Sequence, residues 1–140
     1  MEERLFVYTF WEEYTRYIRP SITKIDILLK SAEYPLDMSC VGQVLDIPRK
    51  EVASIMLRAG LDKIDREAFL HIMANGSSRI CHLYRKEVEI GSPPTYTASQ
   101  LSYIYNLDIN DVKNACEKLQ IKEATVLTMP LIFANIPYLA

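Results

Sequence analysis

MSCVGQVLDIPRKEVASIMLRAGL, residues 38–61, reads as two short helices joined by a tight turn. In the first, Val41, Val44 and Leu45 share one face. In the second, Val52, Ile55, Met56 and Ala59 recur at the i, i+3, i+4, i+7 spacing of an amphipathic helix. Between them lies Asp46-Ile47-Pro48. Proline lacks a backbone donor and has a restricted φ, so it ends one helix and suits the first turn of the next. Gly60 supplies the residue that turns the chain out of the second helix. This is the pattern of a helix-turn-helix, and it predicts a binding module.

Toward the carboxyl end, Asp65 can cap a helix over 66–75, with Ala68, Phe69, Ile72 and Met73 turned inward and Gly76 stopping it. A further helix runs from about Ser78 to Ile90, its apolar side marked by Ile80, Leu83, Tyr84 and Val88. Gly91-Ser92-Pro93-Pro94 is the clearest linker. Beyond it the hydrophobic phase repeats at an offset of sixty residues. Val41 pairs with Leu101, Val44 with Ile104, Val52 with Val112, Ile55 with Ala115 and Met56 with Cys116, and Ala74-Asn75 recurs as Ala134-Asn135. An internal repeat is the expectation. In this second unit Thr97 and Gln100 make a capping box, residues 106–110 form the turn, and Asp108 or Asn110 caps the next helix. The apolar tail, 125–140, carries Pro130 and Pro137 and predicts a short buried helix over 130–135.

Toward the amino end, residues 4–19 place Val7, Phe10, Trp11, Tyr14 and Ile18 on one helical face, widened by Phe6 and Tyr17. Glu12, Glu13 and Arg16 are left for solvent. So broad an aromatic face must be buried in the core or against a second copy. Pro20 is expected to end this helix and Ser21 to cap the next, which turns Ile22, Ile25, Leu28, Leu29 and Ala32 inward before the break at Tyr34-Pro35.

The fold class is therefore all-α: an N-terminal aromatic helix followed by two related helix-turn-helix units. The expected divisions are 1–33 for the N-terminal helices, which serve packing or dimerisation, 34–91 for the first unit and 92–140 for the second with its tail. The chain of 140 residues is 49% hydrophobic and 24% charged, as a globular protein requires. Its net charge is −2 with the two signs interspersed, which argues against a broad basic face and leaves room for a local basic patch. Cys40, Cys81 and Cys116 lie far apart in apolar helical surroundings and read as buried free thiols of a reducing compartment. The acidic, aromatic amino end does not resemble a secretory signal, and no apolar run approaches the roughly 20 residues of a membrane span. A cytoplasmic protein with no membrane partner is expected.

With Val52, Ile55 and Met56 inward, the helical period puts Lys50, Ala53, Ser54 and Leu57 on the outer face, Arg58 at its edge and Arg49 in the first turn. In helix-turn-helix docking the amino-terminal half of the second helix enters the major groove, where small, basic and hydrogen-bonding side chains are needed. Arg49, Lys50, Ala53 and Ser54 meet that need, and Leu57 can touch a thymine methyl or another protein. Residues 38–70, especially Val41-Gly-Gln-Val-Leu45, the Ile-Pro-Arg-Lys-Glu turn and Ile64-Asp-Arg-Glu-Ala-Phe-Leu70, resemble the helix-turn-helix of excisionase and MerR-type DNA-binding domains. That resemblance implies a recognition helix, a small wing and then a further helix. Only Asp62 and Lys63 separate Leu61 from Ile64, so the wing hairpin is nearly absent. The corresponding helix of the second unit shows Asn110, Lys113, Asn114, Glu117 and Lys118, with Asp111 beside them, and is poorer for DNA because its carboxylates repel phosphate.

Catalysis is not expected. His71 and His82 are the two histidines, and adjacent Cys81 and His82 diverge on a helix, so they do not chelate one metal together. No glycine-rich phosphate loop or nucleophile motif is present, and no cofactor, metal or small-molecule substrate is expected. The sequence thus predicts a sequence-specific DNA-binding regulator, serving transcription or recombination, that contacts double-stranded DNA through Arg49, Lys50, Ala53, Ser54, Leu57 and Arg58. One such helix seldom supplies enough affinity, so a homodimer is expected. The alternative is a non-catalytic protein-interaction or assembly module, favoured by the net negative charge and outward Leu57.

Overall fold

The computed structural model describes residues 8–138, in which helices dominate and extended pairing is confined to isolated bridges. Phe6 and Val7 of the expected aromatic face lie outside the described residues. The chain divides into two compact units, Arg19–Glu89 and a second that combines the N-terminal segment up to Ile18 with Ile90–Ala140.

In the unit Arg19–Glu89 the elements are α2 (Arg19–Ser31), α3 (Met38–Leu45), α4 (Arg49–Ala59), α5 (Arg66–Asn75) and most of α6 (Arg79–Ile90). Asp37 starts α3 by accepting from the backbone N–H groups of Ser39 (3.0 Å) and Cys40 (3.2 Å). Left-handed Asp46 (φ 58°) ends it, and Ile47 N donates to Gly42 O at 2.9 Å. Pro48 stands at the N-cap of α4, one residue ahead of the helix, and offers no side-chain cap. Gly60 (φ 70°) closes α4, with Leu61 N donating to Met56 O. Asp65 caps α5 through Ala68 N at 2.8 Å. The core is built from Val41, Leu45, Ile47, Val52, Ile55, Met56, Ile64, Phe69, Ile72 and Ile80, all buried. Three expectations fail here. Ala59 is exposed, because an alanine methyl at a helix end costs little to leave in water. Along α2, which packs against α3, only Ile25 is fully buried; Leu28, Leu29 and, just past its end, Ala32 are half-buried, and Ile22 is exposed. Val88, near the end of α6, is exposed.

The other unit comprises α1 (Phe10–Glu13), a π-helical turn (Tyr14–Ile18), α7 (Ala98–Tyr105), α8 (Ile109–Leu119) and α9 (Met129–Ala134). Pro20 does not end the N-terminal helix as expected. It is the second residue of α2, and the wider π turn just before it relieves the clash between its ring and the preceding helical carbonyl. Ser21 accordingly lies inside a helix. The aromatic face packs within the chain: Phe10 meets Phe133 edge-on at 4.8 Å between centroids, and Tyr105 meets Phe133 at 5.2 Å. Phe10 N donates to Ile136 O at 2.9 Å, and Thr9 bridges Pro137. Ile132, Phe133 and Ile136 of the tail are buried as expected, whereas Val126, Leu127 and Leu131 are exposed.

The local hydrogen bonds of one helix pair recur in the other sixty residues later. Leu107 N donates to Ser102 O (3.0 Å) as Ile47 N does to Gly42 O, and Asn106 (φ 55°) matches left-handed Asp46. Gln120 (φ 58°) matches Gly60, and Ile121 N donates to Cys116 O as Leu61 N does to Met56 O. Leu36 N donates to Ile64 O at 2.8 Å and Tyr96 N to Ala124 O at 2.9 Å. Asn75 and Asn135 each return a side-chain N–H to the carbonyl four residues back, at 2.9 Å.

Glu13, expected in solvent, is the buried charged residue of the described chain, at 6% exposure. Its carboxylate accepts a hydrogen bond from the Tyr8 hydroxyl at 2.8 Å, which offsets part of the burial. Desolvation first, then this hydrogen bond and the Glu13 charge, raise the Tyr8 phenol from 10.0 to about 12, against an opposing pull from Arg16. A folded-state value above the unfolded one favours the fold while the phenol is protonated, and that contribution disappears as pH rises from about 10 to about 12. Urea midpoints across this range are expected to fall more steeply for the parent than for Tyr8→Phe, and parallel profiles would refute the coupling.

Candidate nucleic-acid interface

The first turn of α4 starts from Pro48, whose carbonyl accepts from Glu51 N (3.0 Å) and Val52 N (3.2 Å). Proline has no side-chain oxygen, so the first N–H groups of α4 are left without a side-chain cap. Arg49 and Lys50 occupy this turn and are exposed. Neither side chain has a hydrogen bond or ion pair among the described residues. Two cations at the positive end of a helix dipole are not stabilised by the helix itself.

Every residue expected at the interface lies on the solvent side. Ala53 and Ser54 are exposed, and Leu57 is 83% exposed. Arg58 is exposed, but its Nε leans back on Ser54 O at 3.4 Å, so it reaches outward less than Arg49 and Lys50. Beside this face an open depression follows the α3–α4 turn, lined by Ser39, Gly42, Gln43, Asp46, Ile47, Pro48 and Arg49. Its floor depends on Gly42, where a Cβ would stand 2.7 Å from Ile47 O.

Two contacts that hold this turn escape a local reading of the sequence. Glu51 accepts from both the backbone N (2.7 Å) and the hydroxyl (2.8 Å) of Ser77, and Ser78 Oγ donates to Leu45 O at 2.6 Å. The α5–α6 turn therefore grips both sides of the α3–α4 turn. The serine pair after Gly76 suggests a turn in the sequence, but nothing local to it names Glu51 or Leu45 as partners.

The equivalent region of α8 differs in charge and capping. Asp108 caps it, accepting from Asn110 N at 2.8 Å and Asp111 N at 3.4 Å, so a carboxylate already occupies the helix start. Asn110, Lys113, Asn114, Glu117 and Lys118 are exposed, and Asp111 is half-buried. The stretch 19–89 has 11 basic against 10 acidic residues, while 1–18 with 90–140 has 5 basic against 8 acidic.

Among the described residues no three His, Cys, Asp or Glu side chains converge to hold a metal ion. Cys81 is buried and neighbouring His82 exposed, so the two diverge. Burial pushes the Cys81 and Cys116 thiols up, which disfavours the reactive thiolate. Among the described residues no helix is long and apolar enough to cross a membrane. Comparison of the chain with protein-family models, with curated proteins and with solved structures found no match.

Proposed function

We propose that the chain is a sequence-specific DNA-binding regulator, of transcription or recombination, that lays α4 in the major groove of a duplex. The observation that carries this reading is the uncapped start of α4 with Arg49 and Lys50 exposed and unpaired among the described residues. The small exposed side chains of Ala53 and Ser54 beside them allow close approach to base edges. In this reading Arg49 and Lys50 meet phosphates or guanines, Ser54 a base edge or phosphate, Leu57 a thymine methyl, and Arg58 a flanking phosphate. The resemblance of residues 38–70 to excisionase and MerR-type domains points the same way. The helix pairs α3–α4 and α7–α8 are two copies of one helix-turn-helix unit, a reading supported by their shared turn hydrogen bonds at a sixty-residue offset. The second copy, capped by Asp108 and acidic at Asp111 and Glu117, serves packing or protein contact. A cytoplasmic homodimer accounts for the affinity that a single helix lacks.

Binding to a random pool of short labelled duplexes at low and moderate salt tests this. Arg49→Ala with Lys50→Ala is expected to weaken binding at least about tenfold and to lower the slope of log affinity against log salt by about 2, one for each phosphate left without its cation. Both side chains are exposed, so the helical circular dichroism should be unchanged. A double variant that binds like the parent would overturn the assignment.

One observation favours a second reading. Leu57, near the centre of the proposed face, is 83% exposed, as suits an apolar anchor for a protein partner. No retention of any duplex at low salt would turn the assignment to that interaction module.

A further inference from the structure

We propose that Glu51 and Ser77 are positioning residues of the α4 interface: Ser77 holds the Glu51 carboxylate away from Arg49 and Lys50, and so leaves both cations available to phosphate. This rests on the reading of α4 as the helix that meets the duplex. Glu51 lies in the same first turn as the two cations, where the helix dipole favours a carboxylate. Released from Ser77, that carboxylate would be free to swing toward the solvent side of the first turn and repel phosphate there, although as an i+1 and i+2 neighbour it does not face the two cations along the helix. Instead each of its oxygens is engaged by one residue from 26 positions along the chain, Oε2 by Ser77 N at 2.7 Å and Oε1 by Ser77 Oγ at 2.8 Å. Among the described residues Glu51 forms no ion pair with either cation. The neighbouring Ser78 ties the same turn to the end of α3 through Leu45 O, which fixes where Ser77 stands.

The second helix pair supplies an internal comparison. Sixty residues on, Asp111 and Pro137 stand at the positions of Glu51 and Ser77. Proline has neither N–H nor hydroxyl, so it cannot make this clamp. The positions of Arg49 and Lys50 are there taken by Ile109 and Asn110. The clamp thus accompanies the cations and is missing where they are missing, an association that a general packing role for the clamp does not require.

The test measures affinity for a labelled duplex selected from the pool, with the urea midpoint of each protein recorded alongside. Ser77→Ala, which loosens the carboxylate, is expected to weaken binding about fivefold to tenfold. Glu51→Gln, which keeps an acceptor for Ser77 N and removes the charge, is expected to bind about threefold more tightly than the parent. The double variant should bind within about twofold of Glu51→Gln, because no carboxylate remains to compete, although its stability falls as in Ser77→Ala. Binding by Ser77→Ala within about twofold of the parent, or a double variant as weak as Ser77→Ala, would overturn the inference and leave the clamp a structural contact. A parent protein that retains no duplex at any salt would overturn the reading of α4 and this inference with it, and that result needs no variant to recognise.

Discussion

Phe69→Ala is expected to lower the unfolding free energy by about 3–5 kcal/mol, the range for removing a large aromatic side chain from a packed interior. Phe69 has no exposed surface and is among the largest fully buried side chains of the protein. It sits on α5, which packs against α4, so truncating it weakens support on the inner side of the helix that carries Arg49 and Lys50. The cost combines the transfer of the ring's carbon atoms into water with the void left where neighbours cannot close in. Domains of this size hold about 5–15 kcal/mol in all, so the variant should lose a large share of its stability. A urea midpoint shifted downward with an unchanged slope is the expected signature. A shift of less than about 1 kcal/mol would mean that the interior around α5 can refill, and would refute close packing at this site.

Gly42→Ala is expected to cost about 2 kcal/mol, against the sign that helix propensity alone predicts. Within a helix, alanine is better than glycine by about 1 kcal/mol. At Gly42 the new methyl would stand 2.7 Å from Ile47 O and 3.6 Å from Arg49 N. Both are backbone atoms beside Pro48, with no rotamer through which to retreat, so the α3–α4 turn itself must move. The steric term therefore outweighs propensity, and because Arg49 moves with the turn, the duplex affinity we propose should fall along with stability. Ser102 provides the control. At the matching place in α7 a serine is accommodated, with its hydroxyl donating to Leu107 O at 2.6 Å. Gly42→Ser should consequently be less damaging than Gly42→Ala by about 1 kcal/mol, the net worth of one hydrogen bond. Thermal or urea unfolding of the three proteins decides the matter, and an alanine variant more stable than the parent would show that the turn has slack.

Features that local chemistry controls are legible in the residues themselves. Asp65 as the cap of α5, the Thr97–Gln100 box of α7 and Gly60 closing α4 each act over three or four residues, and each is found in place. So is the inward register of Val52, Ile55 and Met56, which leaves Lys50, Ala53, Ser54 and Leu57 outside. The sixty-residue phase relation is likewise visible in the spacing of apolar residues, and the two turns carry the same hydrogen bonds.

Rules that hold for isolated segments mislead elsewhere. Pro20 ends a regular α-helix but not one that has already widened into a π turn. Glu13 belongs in water unless a neighbour such as Tyr8 supplies a hydrogen bond. The stripe of α2 is apolar on paper, yet only Ile25 of it is fully buried.

Most helix boundaries, and the side of α4 that faces water, follow from residue order alone, because periodicity and capping act through backbone neighbours a few positions apart. Three features instead depend on packing: Phe10 against Phe133, Ser77 on both oxygens of Glu51, and Gly42 with no room for a methyl. The Phe10 and Ser77 contacts join residues far apart in the chain, and the third sets a glycine against a backbone carbonyl across a turn. Their partners depend on how packed helices bring those groups together, which no local pattern of residues encodes.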